Sequence, residues 1–498
     1  MDFNWLSTIL FLPAVGAIVI ALLSRKSSDA ILKRVAAVFT GIPLALAIAL
    51  FVMFDRSTGA VGIMQFEEKY TWISALNAHY HLGVDGLSMP LVLLTTLLGF
   101  LAVFISWKVH DRPREFFAWL LLLETSIIGV FVSLDLLLFF IMWEIEVIPM
   151  YFLITIWGSG RREYSAIKYV LYTLFGSAFM LAGILSLYFT TGSLSIVDIG
   201  NQGLGMVQTM MPVGAIFWLL FIGFAVKLPM FPLHTWLPDA HTDAPTAVSV
   251  MLAGVLIKMG GYGMMRLCVS MFPGPAQDYA QILIILALIG IIYGAAVTLM
   301  QTDIKRMIAY SSISHMGYVL LGIFALGQVS LTGAALQMFS HGIVTGLLFA
   351  MAGLVIHNIE VRDLRKLGGL ARQVPVIVAV FSIAGLASLG LPTTSGFAAE
   401  FLIFLGSFTS TVVPYTQVYT IIAIIGVVLT AGYILWMLQQ AFYGPVKEEY
   451  NGVKDADGME KFYMFVLVAA IMLVGIYPAI LTDLFKLGVS PIAALFGG

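Results

Sequence analysis

Fourteen apolar runs, each about as long as a membrane-spanning α-helix, constrain the fold of this 498-residue chain more than any other feature. An α-helix needs roughly 20 predominantly apolar residues to cross a bilayer. The composition agrees, because 60% of the residues are hydrophobic and only 10% are charged, whereas soluble domains contain about 25% charged residues. A β-barrel would instead show short strands that alternate apolar and polar residues. The sequence therefore predicts an all-α integral membrane protein with about fourteen transmembrane helices.

The predicted spans are separated by polar loops. They cover residues 4–23, 31–54, 85–107, 116–133, 135–157, 165–190, 212–239, 245–268, 279–301, 305–326, 331–357, 375–410, 416–443 and 462–483. Spans seven and twelve are too long for simple crossings, and both contain helix-breaking residues. The longest polar stretches, residues 55–84, 193–211 and 444–461, are too short to form a core of their own. We therefore expect no soluble domain.

The basic residues separate sharply between the two sides of the predicted topology. Nineteen of the 25 lysines and arginines fall in loops on one side, four fall on the other, and two lie within spans. The nineteen are Arg25, Lys26, Lys33, Arg34, Lys108, Arg112, Arg114, Arg161, Arg162, Lys168, Lys305, Arg306, Arg362, Arg365, Lys366, Arg372, Lys447, Lys454 and Lys461. Cytoplasmic loops carry such an excess of positive charge. We therefore expect a bacterial-type inner membrane protein with both termini outside.

Two groups of five spans show a similar organisation. Spans four to eight and nine to thirteen each place a broken helix in fourth position, and because five is odd, the second group enters the membrane from the opposite face. Inverted repeats with interrupted helices recur in transporters. The predicted divisions are 1–115 (helices one to three), 116–268 (first repeat), 279–443 (inverted second repeat) and 444–498 (C-terminal loop and helix fourteen).

Prolines interrupt both long spans close to a charged residue. Pro229 and Pro232 cannot donate hydrogen bonds, so span seven is expected to open just after Lys227. In span twelve, Pro392 and the following TTSG sequence break the helix before Glu400. Backbone groups freed inside a membrane must find other partners. A kink alone is common, but a kink beside a charge in two spans favours a hydrated, functional site.

Four ionisable residues lie near the middle of apolar spans: Glu144, Lys227, Lys258 and Glu400. A charge at the bilayer centre costs roughly 2.5–3.5 kcal/mol, so such residues face one another or a hydrated cavity. We expect Glu144 to pair with Lys227, and a structural ion pair is the plainer alternative. Glu146 is two residues on and would point about 200° away on a continuous helix, so it is not expected to face the same partner.

Two histidines extend this set. His315 and His341 lie near span centres, with serines beside them in the sequence, and histidine titrates near neutral pH. A histidine in such surroundings is a hydrogen-bonded core residue as often as it is a proton carrier. His234, Asp239, His241 and Asp243 cluster after the break in span seven; their spacing is poor for a metal, and a loop or a proton-uptake point fits better. Buried acids and bases on broken helices indicate proton or ion movement.

Redox and nucleotide chemistry find no support in the sequence. Cys268 is the only cysteine, which excludes a disulfide and a cysteine-ligated iron–sulfur cluster within the chain. No glycine-rich phosphate-binding motif follows a strand pattern. The formal net charge of −2 gives no indication of nucleic-acid binding. We expect neither cofactor nor metal in this chain.

Several segments resemble the antiporter-like subunits of respiratory complex I. The strongest is AVKLPMFPLHTWLPDAHTDAPTAVSVMLAGVLIKMGGYGMMR, and MWEIEVIPMYFLI, DIKRMIAYSSISHMGYVLLG, MFSHGIVTGLLF and LGVDGLS also match. The resemblance covers spans three to thirteen. Of the three related chain types, called L, M and N, the M type (chain 4) carries a glutamate in span twelve, as Glu400 does here. An L-type chain would continue into a long lateral helix after its core.

The resemblance implies the chemistry and the partners. Proton transfer in the family is assigned to residues that match Glu144, Lys227, Lys258, His315, His341 and Glu400 here. Glu146 is similar to the WELEL form of cyanobacterial and plastid chains. The implied role is a non-redox, proton-translocating subunit of NADH:quinone oxidoreductase. NADH or another donor, FMN, iron–sulfur clusters and quinone would bind partner subunits, and L- and N-type chains would flank this one in the bilayer.

Three alternatives remain open at this stage. The same core resembles a subunit of a multi-chain sodium/proton antiporter, which works from ion gradients without an electron donor. A membrane-bound hydrogenase or another relative of complex I would use a different redox module. A scaffold that only tethers redox modules is the third alternative, and the cost of so many midplane charges argues against it.

Overall fold

The computed structural model describes residues 3–24, 27–202, 211–445, 447–450 and 452–497. Arg25 and Lys26 of the basic set, and residues 203–210 of one predicted polar stretch, lie outside the described residues. In the first half of the chain the elements are α1 (Trp5–Leu22), α2 (Asp29–Met53), β1 (Gln65–Ile73), β2 (Ala78–Val84), α3 (Ser88–Ile105), α4 (Pro113–Val132), α5 (Leu136–Ile145), α6 (Val147–Trp157), α7 (Arg162–Thr191), α8 (Ile196–Gln202), α9 (Val213–Lys227), α10 (Trp236–Asp243), α11 (Thr246–Met251) and α12 (Lys258–Gly263).

The second half is helical. Its elements are α13 (Pro273–Leu299), α14 (Ile304–Phe324), α15 (Gln328–Ile359), α16 (Pro375–Ser388), α17 (Ser395–Thr409), α18 (Thr416–Phe442), α19 (Gly458–Ile476) and α20 (Ala479–Ala494). Twelve helical segments of the described chain are long and apolar enough to cross a membrane. Spans seven and twelve, each divided into two shorter helices, complete the fourteen predicted spans. The all-α membrane fold is therefore confirmed, and the division into two repeats stays a prediction.

Both predicted helix breaks are present. Span seven ends its first helix, α9, at Lys227 and resumes as α10 at Trp236. The indole of Trp236 donates a hydrogen bond of 2.9 Å to the carbonyl of Val226, which re-satisfies a backbone group freed by the break. Span twelve ends α16 at Ser388 and starts α17 at Ser395, five residues before Glu400. Each break thus places an ionisable residue beside an opened backbone.

A third break, which the sequence did not predict, lies at Glu146. The helix of span five stops at Ile145 and a second helix starts at Val147. Pro149 explains the interruption, because it has no N–H to donate to the carbonyl of Ile145 four residues earlier. Glu146 itself keeps helical backbone dihedrals (φ −66°, ψ −24°), so Glu144 and Glu146 still point to different sides of the span.

Span eight contains two π-helical segments. They run over Leu252–Leu256 and Met264–Val269, on either side of α12, whose first residue is Lys258. Short π-helical segments are frequent at functional sites because they widen the helix and re-aim side chains. In the described structure the whole of this span is buried inside the bundle. Span eight is thus a central, irregular helix.

Two elements outside the membrane core were not predicted. Strands β1 and β2 pair antiparallel, with Lys69 opposite His81, within a stretch that the sequence indicated only as a polar loop. Predicted span fourteen is shorter than expected, because α19 ends at Ile476 and α20 follows after Pro478. The amide of Gly62 donates to the carbonyl of Leu487 at 3.3 Å, which ties α20 to the segment before the hairpin.

On the opposite side of the bundle, a charged cluster fixes the start of α19. The Lys108 ammonium, in the loop after α3, lies 2.6 Å from a Glu460 carboxylate oxygen and 3.3 Å from one of Asp457. The hydrogen bond with Glu460 raises the pKa of Lys108 above its ordinary value. Asp457 also caps α19 by accepting hydrogen bonds from the amides of Met459 and Glu460. The cluster joins two helices that are distant in sequence.

Candidate functional site

Lys227 is paired with Glu146 and not with Glu144. The Lys227 ammonium donates to a Glu146 carboxylate oxygen, and both side chains are fully buried. The Tyr169 hydroxyl donates to the other Glu146 oxygen at 2.5 Å and lies 3.2 Å from the ammonium. The predicted direct Glu144–Lys227 pair is therefore wrong in this structure. The two acids point to different sides of span five, and the side that faces Lys227 at the end of α9 and Tyr169 on α7 is that of Glu146.

Glu144 is nevertheless close to this group. Its side chain is half-buried, and its Oε1 atom has no hydrogen-bond partner among the described residues. Glu144 interacts electrostatically with Lys227 and with the hydroxyl of Ser177 on α7. Glu146 is thus the carboxylate in direct contact with Lys227, and Glu144 interacts with the lysine only at longer range.

Aromatic rings enclose the Lys227 ammonium. It lies 5.5 Å from the ring centroid of Trp143 and 5.2 Å from that of Tyr169. An ammonium over an aromatic face gains roughly 0.5–2 kcal/mol, and more when it is shielded from water. These rings stabilise the cation in an environment that otherwise disfavours it.

Lys258 and His341 form the second group. Lys258 is fully buried, its Nζ lies 2.8 Å from Nδ1 of His341, and it also donates to the carbonyl of Ala253 in the first π-helical segment. The π-helical geometry of span eight therefore supplies one of the two partners of the ammonium. The sequence placed both residues in the site, and the structure brings them together.

His315 connects this group to Glu400. The His341 and His315 rings have centroids 5.5 Å apart. Nδ1 of His315 lies 3.3 Å from a Glu400 oxygen, and Nε2 lies 3.1 Å from the hydroxyl of Ser388 at the break in span twelve. Glu400 is only 5% exposed. Four of the six predicted residues thus follow one another across the second half of the bundle.

A cavity of about 10 Å³ lies beside His315, His341 and Glu400. Further polar side chains on its wall are Gln337, Ser340, Thr345 and Ser388. A buried water needs roughly 10–15 Å³ and two to four polar partners. The cavity therefore has room for about one water, surrounded by groups able to bind it.

Lys227 and Lys258 are not directly connected. In the described part of the chain no hydrogen bond or ion pair joins the Lys227 group to the Lys258 group. The backbones approach closely, since a Cβ on Gly260 would lie 2.6 Å from the amide nitrogen of Leu228. Small residues allow such contact between membrane helices. Opened or irregular backbone therefore lies between the two lysines.

The cluster after the break in span seven divides into two kinds of residue. Asp239 pairs with Lys168 at 2.7 Å, and Asp243 accepts a hydrogen bond of 2.6 Å from Ser165. His241 is fully buried, stacks on Phe349 and has no hydrogen-bond partner within the described residues. It interacts electrostatically with Lys258 and with Lys305 at the start of α14. His241 is thus part of the interior and not of a loop.

Glu124 is an intramembrane acid that the sequence analysis missed. It lies in the middle of α4, is 1% exposed, and its Oε1 has no hydrogen-bond partner in the part of the chain that the structure describes. The signal was present, because Glu124 stands in the apolar run FFAWLLLLETSIIGV. No hydrogen bond or ion pair among the described residues joins it to the Lys227 or Lys258 group, so we assign it no role in proton transfer.

The contact between α16 and α17 gives a first prediction. A Cβ at Gly396 would lie 2.0 Å from the carbonyl oxygen of Ala387, so Gly396→Ala is expected to push the two helices apart. Such overpacking costs roughly 1–3 kcal/mol. The thermal midpoint of the assembled complex should fall, and Glu400, one turn later, should move away from His315. Gly290→Ala is the control, because no atom lies within 4 Å of its Cβ position. Equal midpoints for the two variants would contradict the prediction.

The geometry suits proton transfer. Lys258, His341, His315 and Glu400 are neighbouring acid–base groups, and a water-sized cavity lies beside the two histidines and Glu400. Histidine and carboxylate groups exchange protons across hydrogen bonds or through one water. Pairing also offsets part of the cost of placing these charges in a membrane.

Comparison with known proteins agrees with this architecture. The family of NADH:quinone oxidoreductase/Mrp antiporter transmembrane proteins matches residues 133–433. NADH-quinone oxidoreductase subunit M of Rhodobacter capsulatus is 42% identical over 497 residues, covering 97% of this chain and 94% of the relative. NAD(P)H-quinone oxidoreductase chain 4 1 of Synechococcus elongatus is 41% identical, covering 99% and 92%.

A solved structure extends the likeness to three dimensions. A chain in respiratory complex I from Thermus thermophilus with bound NADH superimposes with a TM-score of 0.87 and 28% identity. The superposition covers 99% of this chain and 100% of that one. The predicted resemblance to M-type chains is thus confirmed along the whole length. The chain belongs to the NADH:quinone oxidoreductase/Mrp antiporter family of membrane proteins, and within that family it is similar to subunit M.

Proposed function

We propose that the chain is the M-type, proton-translocating subunit in the membrane arm of an NADH:quinone oxidoreductase or a close relative. One observation carries the proposal, namely the buried succession of neighbouring groups Lys258, His341, His315 and Glu400. Full-length similarity to subunit M supports it. Electron transfer then belongs to partner subunits, which would hold NADH or another donor, FMN, iron–sulfur clusters and quinone.

The Lys227 group is the proposed input of the mechanism. While the ammonium is paired with a carboxylate, its positive charge is stabilised inside the membrane. Separating the pair removes that stabilisation and favours release of the proton. A proton released at Lys227 would reach Lys258 through water or by way of His241, which lies within electrostatic range of Lys258.

The Lys258 group is the proposed output. A proton on Lys258 passes to His341, which is in direct contact, and then by way of His315 and the adjacent water-sized cavity to Glu400. Glu400 lies beyond the break in span twelve, five residues after the start of α17. The distribution of basic residues supports a topology with both termini outside. Within this proposal, protons are taken up on the cytoplasmic side and released outside. We propose that L-type and N-type chains flank this subunit.

Replacement of Lys227 tests the proposal. In proteoliposomes that contain the assembled complex, Lys227→Ala is expected to lower the number of protons moved per electron while electron transfer continues. The variant also leaves Glu146 without its cation, at a cost of roughly 3–5 kcal/mol, so assembly is measured first. Lys227→Arg keeps the positive charge but cannot release a proton, and should lower the ratio as well. Lys69→Ala, at an exposed position on β1, is the control. An unchanged ratio in both Lys227 variants would exclude this lysine from the mechanism.

Two of the alternatives are separated by other measurements. The family includes Mrp antiporters, and such a chain would exchange sodium for protons without an electron donor. Co-purification with iron–sulfur subunits favours the redox-linked assignment, whereas sodium transport without redox input favours the antiporter. A purely tethering role would require that neutral substitutions at all six predicted residues leave the proton-to-electron ratio unchanged.

A further inference from the structure

Three unpaired polar atoms belong to residues that line one small cavity. They are Oε1 of Gln337, Nε2 of His341 and Nδ1 of His315, and none of them has a hydrogen-bond partner among the described residues. Each of the three residues is at most 4% exposed. Buried polar atoms are nearly always hydrogen-bonded, either to protein or to an ordered water. A single water bound by all three atoms would satisfy them.

The cavity is suited to such a water. Gln337 lies on α15, four residues before His341, so the amide and the imidazole project from the same face of the helix. Both side chains line the cavity of about 10 Å³, and His315 on α14 completes this part of the wall. A buried water needs roughly this volume and two to four polar partners. The three unpaired atoms supply that number.

Gln337 differs from the other polar residues on the wall. Ser340 donates a hydrogen bond of 2.8 Å to Ser395, and Ser388 lies 3.1 Å from Nε2 of His315, so both hydroxyl groups already have partners. A glutamine amide offers one acceptor and two donors and does not titrate. Gln337 can therefore hold a water without competing for a transported proton.

We propose that Gln337 holds a water between His341 and His315 and is thereby a positioning residue of the proton pathway. The proposal rests on the proposed function and deepens it. The two imidazole rings have centroids 5.5 Å apart, and no hydrogen bond joins them in the described structure. The water bridges the two rings, and one of its hydrogens is donated to Oε1 of Gln337. That bond fixes the orientation of the water.

The three hydrogen bonds define the transfer step. The Lys258 ammonium lies 2.8 Å from Nδ1 of His341, so His341 takes up a proton on Nδ1 and carries its other hydrogen on Nε2. The Nε2–H bond breaks and its proton passes to the water, while the water gives one of its own protons to Nδ1 of His315. The water is restored, and Gln337 keeps its hydrogens. Glu400, 3.3 Å from Nδ1 of His315, is the next acceptor.

The test compares two substitutions by the ratio of protons moved to electrons transferred, measured with the assembled complex in proteoliposomes. Gln337→Met fills similar space with an apolar side chain, and we expect it to lower the ratio to the level of the Lys227→Ala complex. Gln337→Ala enlarges a cavity with polar walls, so more water enters and part of the ratio is expected to return. A packing role predicts the opposite order, because the larger deletion is the more destabilising. Gln417→Met, at an exposed position in the first turn of α18, is the control.

The outcomes separate this proposal from the proposed function. A normal ratio in Gln337→Met, with a reduced ratio in Lys227→Ala, overturns the role of Gln337 alone. A lower ratio in Gln337→Ala than in Gln337→Met overturns it as well, since packing then explains the loss. A normal ratio in Lys227→Ala overturns the proposed function, and this proposal falls with it.

A second measurement needs no variant and decides the question if the Gln337→Ala complex does not assemble. A high-resolution electron cryo-microscopy map of the unaltered complex is expected to show one ordered water in hydrogen-bond contact with Gln337, His341 and His315. A map in which the cavity contains no water, or in which the water contacts the histidines but not Gln337, would overturn the proposal.

Discussion

Replacing Lys258 with Met is expected to block proton transfer through this subunit while electron transfer to quinone continues. Lys258 is fully buried and contacts Nδ1 of His341 at 2.8 Å. Methionine is long, flexible and apolar, so it fills much of the same space without carrying a proton. A positioned acid–base group contributes roughly 10²–10⁴-fold to the rate of a proton-transfer step. If the rate of this step falls by that factor, proton transfer through the subunit becomes too slow to occur within one turnover of the complex.

The measurement is again the proton-to-electron ratio of the assembled complex. Lys258→Arg distinguishes a proton carrier from a fixed charge, because arginine stays protonated. We expect both variants to show the same reduced ratio. Lys69→Met, at an exposed position, controls for the change in composition. A Lys258→Arg complex that pumps normally would mean that only the charge of this residue is required, and a normal Lys258→Met complex would remove the residue from the pathway.

Replacing Glu400 with Gln is expected to have an effect of similar size. Glutamine keeps the shape of the side chain and an oxygen that can face Nδ1 of His315, now 3.3 Å from the carboxylate. It cannot accept and release a proton, so the last buried acid of the succession is lost. The expected slowing of the step is again roughly 10²–10⁴-fold.

Two further variants make the Glu400 result interpretable. Glu400→Asp retains the acid but shortens its reach towards His315, and an intermediate ratio is expected. Glu360→Gln is the control, since Glu360 is exposed at the end of α15. Normal pumping by the Glu400→Gln complex would show that protons leave the Lys258 group by another route.

The membrane fold was predictable because it follows from one-dimensional properties of the chain. The length of the apolar runs predicted the spans. The N–H that proline lacks predicted the breaks after Lys227 and Ser388. The cost of a charge in hydrocarbon identified Lys258 and Glu400 as interior residues. Each of these properties depends on the residue and its near neighbours, so no knowledge of tertiary packing was required.

The partner of Lys227 was not predictable in the same way. The angular argument separates Glu144 from Glu146, but it does not tell which of the two faces Lys227. That choice depends on how span five is rotated against α7 and α9, and the structure shows Glu146 in contact with Lys227 and Tyr169. The π-helical segments around Lys258 carry no residue signature comparable to proline. Glu124 was missed although the rule that identified Glu144 applies equally to it.

The central claim is that the buried acids and bases act in series along one path. The direct test is the proton-to-electron ratio of a complex that carries Lys258→Met and Glu400→Gln together. Residues that act as one unit give non-additive losses, whereas independent sites give losses that add in free energy. We expect the double variant to have the same proton-to-electron ratio as either single variant. A further reduction that equals the combined independent effects of the two substitutions would contradict a single connected path.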